Sequence, residues 1–277
     1  MPSATALAAL LPLGLGSTLY VMALRRLAAR GRRVPRGQQA AWWGGVALTA
    51  IGLASPLDLL ADRLLSAHMA QHLLIADLAA PLLLIGARSP VLLFLLPAPA
   101  LRRVARLRRV RHVLGVLRRP LVAIPIYVVV LYGWHLGFMF EGALRSSLAH
   151  ALQHQSFVVA SALVWWSVLE PGRARVPGEL WKIGHVLGAR MAGMFLGMGF
   201  IALRTPTYVS GYGSGPRAFG LGGVADQQIA GGMMLGLDLV VMLGALAFFF
   251  ARAGQDHDRT QAAAAASQRR RVAAGDG

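Results

Sequence analysis

The sequence predicts an all-α, polytopic membrane helix bundle of about seven transmembrane helices, with its N-terminus outside and its C-terminus cytoplasmic. Three observations predict it. The 277 residues are 56% hydrophobic and only 14% charged, with a mean hydropathy of +0.56, whereas a soluble domain is roughly a quarter charged. Apolar stretches of spanning length recur along the whole chain. The basic residues collect in alternate gaps between those stretches.

The predicted spans cover residues 4–24, 38–55, 65–87, 120–140, 147–169, 181–203 and 225–251. The first lacks a basic leader and a small-residue cleavage site, so it reads as a retained span. Between the third and fourth lies a short apolar piece, Val91 to Leu96, bracketed by Pro90 and Pro97. It is too short to cross a bilayer and reads as interfacial or re-entrant. After it, Leu101 to Arg119 alternates arginine with Val and Leu, as an amphipathic surface helix does. Residues 1–251 thus form one transmembrane helical domain, and 252–277 a disordered or membrane-surface cytoplasmic tail with an alanine run and Arg269 to Arg271.

Lysine and arginine number six in gap 25–36, nine in 88–119, three in 170–182 and five after 251. The alternate gaps 56–64, 141–146 and 204–224 hold one, one and two, and Arg190 lies inside the sixth span. The positive-inside rule turns this asymmetry into the orientation given above. It also accounts for the net charge of +17 without nucleic acid, because the charge lies between spans and not on one folded face. The absence of cysteine excludes disulfides, thiolate metal sites and cysteine nucleophiles. Metal chemistry here must use His, Met or carboxylate.

Two matching motifs carry the chemistry. Residues 67–72 and 149–154 both read A-H-x-x-Q-H, and both open a span that runs inward from outside. The i,i+4 spacing puts His68 beside His72, and His150 beside His154, with each pair about 6 Å apart on one helix face. That arrangement suits two ligands of one ion. Gln71 and Gln153 share those faces and are placed to orient a ring. Trp134-His135 lies near the outer end of the fourth span, and Asp226-Gln227-Gln228 opens the seventh. Five histidines and an aspartate therefore converge at one depth from four helices, where ionisable groups are costly and functional by default.

A lone membrane histidine is more often a helix contact worth about 1–2 kcal/mol, and His185 fits that description. His112 and His257 read as interfacial or solvated. Met194, Met198, Met233 and Met234 add soft donors nearby, although singly each reads first as packing. Imidazole suits copper, zinc and iron, and neighbouring methionine favours Cu(I). Copper is the leading assignment for His68, His72, His135, His150, His154 and Asp226, with zinc or haem as alternatives. Asp77 and Asp238, deeper in the membrane, either extend a route from the site or pair with Arg190.

These motifs also resemble a known family. The first H-x-x-Q-H followed by Ala80-Pro81-Leu82-Leu83 and Gly86, the Trp134-His135 pair, the second H-x-x-x-H, and Asp226-Gln227 with Ala230-Gly231 are similar to the multi-span bacterial CtaG family. This is the family of cytochrome c oxidase assembly factors and not the single-span copper donor of the same name. The resemblance covers roughly residues 40–250. It implies a multi-pass bacterial plasma-membrane protein that matures a haem–copper oxidase and delivers copper to it. By position, the same five histidines and Asp226 would be the family's polar residues. Gln153 stands where many relatives have an acidic residue, and Leu235 follows Met234 where many have tryptophan.

The leading expectation is therefore a non-enzymatic factor that binds copper and hands it to an oxidase subunit, or works with a copper chaperone, in the same lipid bilayer. The rivals are a haem-dependent membrane oxidoreductase or haem-processing protein, and a metal or proton transporter using the same histidines.

Overall fold

Residues 4–169, 180–273 and 275 are described by a computed structural model. Their helices are α1 (Ala4–Ala28), α2 (Arg36–Ala54), α3 (Pro56–Ala61), α4 (Leu65–Ala87), α5 (Ala98–Arg106), α6 (Arg108–Leu117), α7 (Pro120–His135), α8 (Gly137–Arg145), α9 (Ser147–Leu169), α10 (Leu180–Ala202), α11 (Val209–Tyr212) and α12 (Gly223–Ala273). No strand occurs among the described residues. By length and composition, α4, α10 and the Gly223–Gln255 part of α12 can cross a membrane. The pair α6 and α7, bent by 75° where they meet, makes a fourth if counted as one span. The chain is accordingly an all-helical membrane protein with three to four candidate spans.

The apolar stretches all fall largely within helices, but three boundaries differ from the sequence reading. The stretch 120–140 is not one helix. It stops at His135, where Leu136 turns extended (φ −64°, ψ 134°) ahead of Gly137, and α8 starts afresh. The arginine-rich stretch 101–119 breaks at Leu107 into α5 and α6. Lastly, α12 runs on to Ala273 through the segment read as a tail. Alanine has the highest helix propensity of all residues, and the run Ala262 to Ala266 favours that continuation. The basic gap 170–182 falls mostly outside the described residues.

Helix α4 is the centre of the fold, and its middle is irregular for a local reason. Leu73–Ala79 is a π-helical stretch in which the Ala80 N–H bonds Ile75 O, five residues back. The Ala76 carbonyl would next be served by residue 81, which is proline and has no N–H. Ser161 Oγ on α9 donates to that carbonyl instead, at 2.6 Å. Pro81 thus leaves a carbonyl of α4 for α9 to serve.

Small residues let the neighbouring backbones close in. A Cβ on Gly86 of α4 would lie 2.5 Å from Trp42 Cβ on α2, and one on Gly231 would lie 2.5 Å from Gly197 O, where α10 crosses α12. Of the span-six glycines read as packing residues, Gly193 and Gly197 face α12, while Gly199 has nothing within 4 Å. Around α4 the core includes Ile75, Ala76, Tyr127, Leu131, Phe157, Ala160 and Ala189 from α4, α7, α9 and α10. A second core of Leu65, Met69, Phe140, Phe200, Tyr208, Ala230 and Met234 lies nearer the ends that carry the histidines.

Candidate functional site

Two helix starts bring four imidazoles together. On α9 the first turn is capped locally, with Ser146 Oγ accepting from Ala149 N at 3.3 Å, so His150 and His154 occupy the opening turns. On α4 the N-cap position is Leu64, whose side chain cannot cap. Asp226 of α12 does so from across the bundle: its carboxylate accepts from Leu65 N at 2.8 Å and Ser66 N at 3.0 Å. Arg217 donates to the same carboxylate at 2.6 Å, and both side chains are buried. His68 and His72 follow in the next two turns.

Ring centroids lie 4.5 Å apart for His68–His72, 4.3 Å for His150–His154, 5.1 Å for His68–His150 and 5.0 Å for His72–His154. His68, His72 and His154 are buried and His150 half-buried. Phe140 closes over His68 and Phe157 over His72, with centroids at 4.8 and 4.7 Å. Both ring nitrogens of His68 and His72, and Nε2 of His150 and His154, have no hydrogen-bond partner among the described residues. Buried polar atoms are rarely left so. The rings stack and tilt on one another instead of aiming at a common point, and among the described residues no group of three or more His, Asp or Glu is arranged to hold a metal ion. The donor chemistry fits a cation; the side-chain orientations do not form a finished centre.

The other residues read from the sequence separate from this cluster. His135 is half-buried beside it, with Phe140, Phe157 and Phe200 as ring neighbours. Its Nδ1–H donates to Leu131 O at 2.7 Å, and its Nε2 stands 3.5 Å from Met69 Sδ. Asp226 is not among the imidazoles at all: the α4 N-terminus and Arg217 take up its carboxylate. Gln71, read as orienting a ring, instead donates to Gly52 O and Asp58 Oδ1, each at 2.8 Å. Gln153 lies against His68 without a hydrogen bond of ordinary geometry. Asp77 and Asp238 both pair with Arg190, the latter at 2.9 Å, which decides for pairing between the two roles left open. His185 bonds Val164 O at 3.0 Å, as a helix contact should.

Two cavities adjoin His135. One, of 30 Å³, is lined by Met69, His72, His135 and Met234 together with Asp77 and Asp238. The second is an open groove of 450 Å³ between α7, α10 and the 203–208 segment, with His135, Phe200 and Tyr208 on its walls. Of the methionines singled out by spacing, Met234 reaches the first cavity, whereas Met198 is 48% exposed.

The family model described as cytochrome c oxidase caa3 assembly factor matches residues 18–255. The chain belongs to this family. The match takes in every histidine of the cluster, His135 and Asp226. No curated protein and no solved structure matches the chain. Membership of the caa3 assembly factors implies association with cytochrome c oxidase.

Spacing alone did not single out three residues of this caa3 assembly factor. Met69 lies inside the first A-H-x-x-Q-H motif, between its histidines. Arg217 is one of only two basic residues in gap 204–224, and its partner Asp226 is nine residues on. Tyr208, from the same gap, donates its hydroxyl to His135 O at 2.7 Å and so fixes the turn that ends α7.

Proposed function

We propose that this assembly factor receives copper at the imidazoles of His68, His72, His150 and His154 and hands it to an oxidase subunit in the same membrane. Copper is cargo here, not a resident cofactor. One observation carries the reading: four imidazoles from two helices lie with neighbouring centroids 4.3 to 5.1 Å apart, and six of their buried ring nitrogens lack partners. Imidazole is a ligand that copper favours, and a bound cation would take the lone-pair nitrogen of each ring that turns to it. Asp58 and Asp62, on the α3 side, act electrostatically on His150 and draw cations to that edge.

The same proposal includes about seven spans in a bacterial plasma membrane, N-terminus outside and C-terminus cytoplasmic. The helices over all seven apolar stretches and the alternating arginine content support it. The cluster would then open toward the outer face, and the direct partner would be an oxidase subunit or a copper chaperone. His135 would be a further ligand. Asp226 acts in this reading by holding the α4 start in register.

The test is the copper content of oxidase purified from cells that carry the wild-type factor or His72→Ala/His154→Ala at equal membrane levels. The proposal expects copper-poor oxidase with the double variant. Fully metallated oxidase from those cells would overturn it.

A further inference from the structure

His135 and Met69 present an arrangement that hydrogen bonding does not explain. The Leu131 carbonyl can only accept, so at 2.7 Å His135 Nδ1 must carry the proton. In a neutral ring Nε2 is then a bare lone pair. It faces Met69 Sδ at 3.5 Å, and a thioether offers no proton either. Two acceptors therefore look at one another, with Met69 buried and His135 half-buried, where a polar group without a partner is costly. A cation between them satisfies both.

The surroundings match such an ion. The 30 Å³ cavity at this pair also touches His72, with both ring nitrogens unpartnered, and Met234. Asp77 and Asp238 also line it. Thioether with imidazole is a donor set for Cu(I), while harder divalent ions prefer oxygen.

We infer that Met69 Sδ and His135 Nε2 form a Cu(I) subsite beside the four-imidazole cluster, adjoining it at His72. The inference rests on the copper reading above. In it the cluster receives the metal, and the His135–Met69 pair holds it in reduced form between α4 and α7. His135 also lines the open 450 Å³ groove, so the subsite has a side from which a partner can withdraw the ion.

The test is X-ray absorption at the copper edge, with Cu(I) titration against a competing chelator, on the full-length protein in detergent. Wild type, Met69→Leu and, as a control, Met198→Leu are compared. Leucine is close to methionine in volume, so the fold is retained. Wild type and Met198→Leu should show a sulfur scatterer at copper. Met69→Leu should lose it and bind Cu(I) at least about 10-fold more weakly, since losing a ligand should cost no less than losing a group that supports one. Its Cu(II) and Zn(II) affinities should stay unchanged. Copper bound with nitrogen neighbours only, or a sulfur signal that survives Met69→Leu, overturns the subsite and leaves the four-imidazole reading standing. No copper on any of the three proteins overturns both.

Discussion

Asp226→Asn separates an anchoring role from a ligand role. In the wild-type protein this carboxylate accepts from Leu65 N and Ser66 N and pairs with Arg217, with neither charged side chain more than 1% exposed. Asparagine keeps the shape and one acceptor oxygen but leaves the guanidinium as a buried, uncompensated charge. Breaking a buried pair this way costs about 3–5 kcal/mol. The lost charge-assisted bond at the α4 N-terminus belongs to the same network, so it does not simply add. Against a total stability of about 5–15 kcal/mol this is a large fraction. The assay is thermal unfolding of detergent-purified protein followed by circular dichroism, with the copper content of the folded fraction measured in parallel. The unfolding midpoint should fall clearly while folded protein keeps its copper. Adding Arg217→Met should recover most of the loss, because the stranded charge is then removed as well. Wild-type stability together with lost copper would refute the anchoring argument and return Asp226 to the ligand set.

The remaining predictions follow from packing, pairing and topology. Arg190→Met strands the carboxylates of Asp77 and Asp238 and should cost about 3–5 kcal/mol in the same unfolding assay; adding Asp77→Asn and Asp238→Asn should restore much of it, and an unchanged midpoint in Arg190→Met would refute the pairing. Gly86→Ala pushes a Cβ to 2.5 Å from Trp42 Cβ and should cost about 1–3 kcal/mol, whereas Gly199→Ala, with open space around it, should be neutral. Because the chain has no cysteine, single introduced cysteines report orientation cleanly. Ser214→Cys should react with an impermeant maleimide in intact cells and Arg103→Cys only after permeabilisation; the reverse pattern would overturn the N-out, C-in reading.

What the sequence made legible follows from the range of the interactions. The i,i+4 histidine pairs are a property of a single helix turn, so spacing alone put His68 beside His72 and His150 beside His154. Bringing the two pairs together also followed, because equal depth in neighbouring helices is set by apolar boundaries. His135 was placed beside the cluster but not in its contacts: the turn at Leu136 depends on Tyr208 holding the His135 carbonyl, a contact 73 residues away. Asp226 illustrates the same limit. Its partners Leu65 and Ser66 are 161 and 160 residues distant, and no periodicity reports them. Met69 had a visible signal, lying within the histidine motif, but its orientation toward His135 depends on how α4 and α7 pack. The π-helical stretch was latent in Pro81, yet the rescue of the Ala76 carbonyl by Ser161 required knowing that α9 lies alongside.

The most direct test of copper handling at the four imidazoles is elemental analysis by mass spectrometry, with an absorption spectrum, on purified protein and on His72→Ala/His154→Ala. The account predicts near-stoichiometric copper in wild type, no Soret band, and copper lost in the double variant while the protein still inserts in the membrane. Equal copper in both proteins, or zinc or haem in its place, would contradict it.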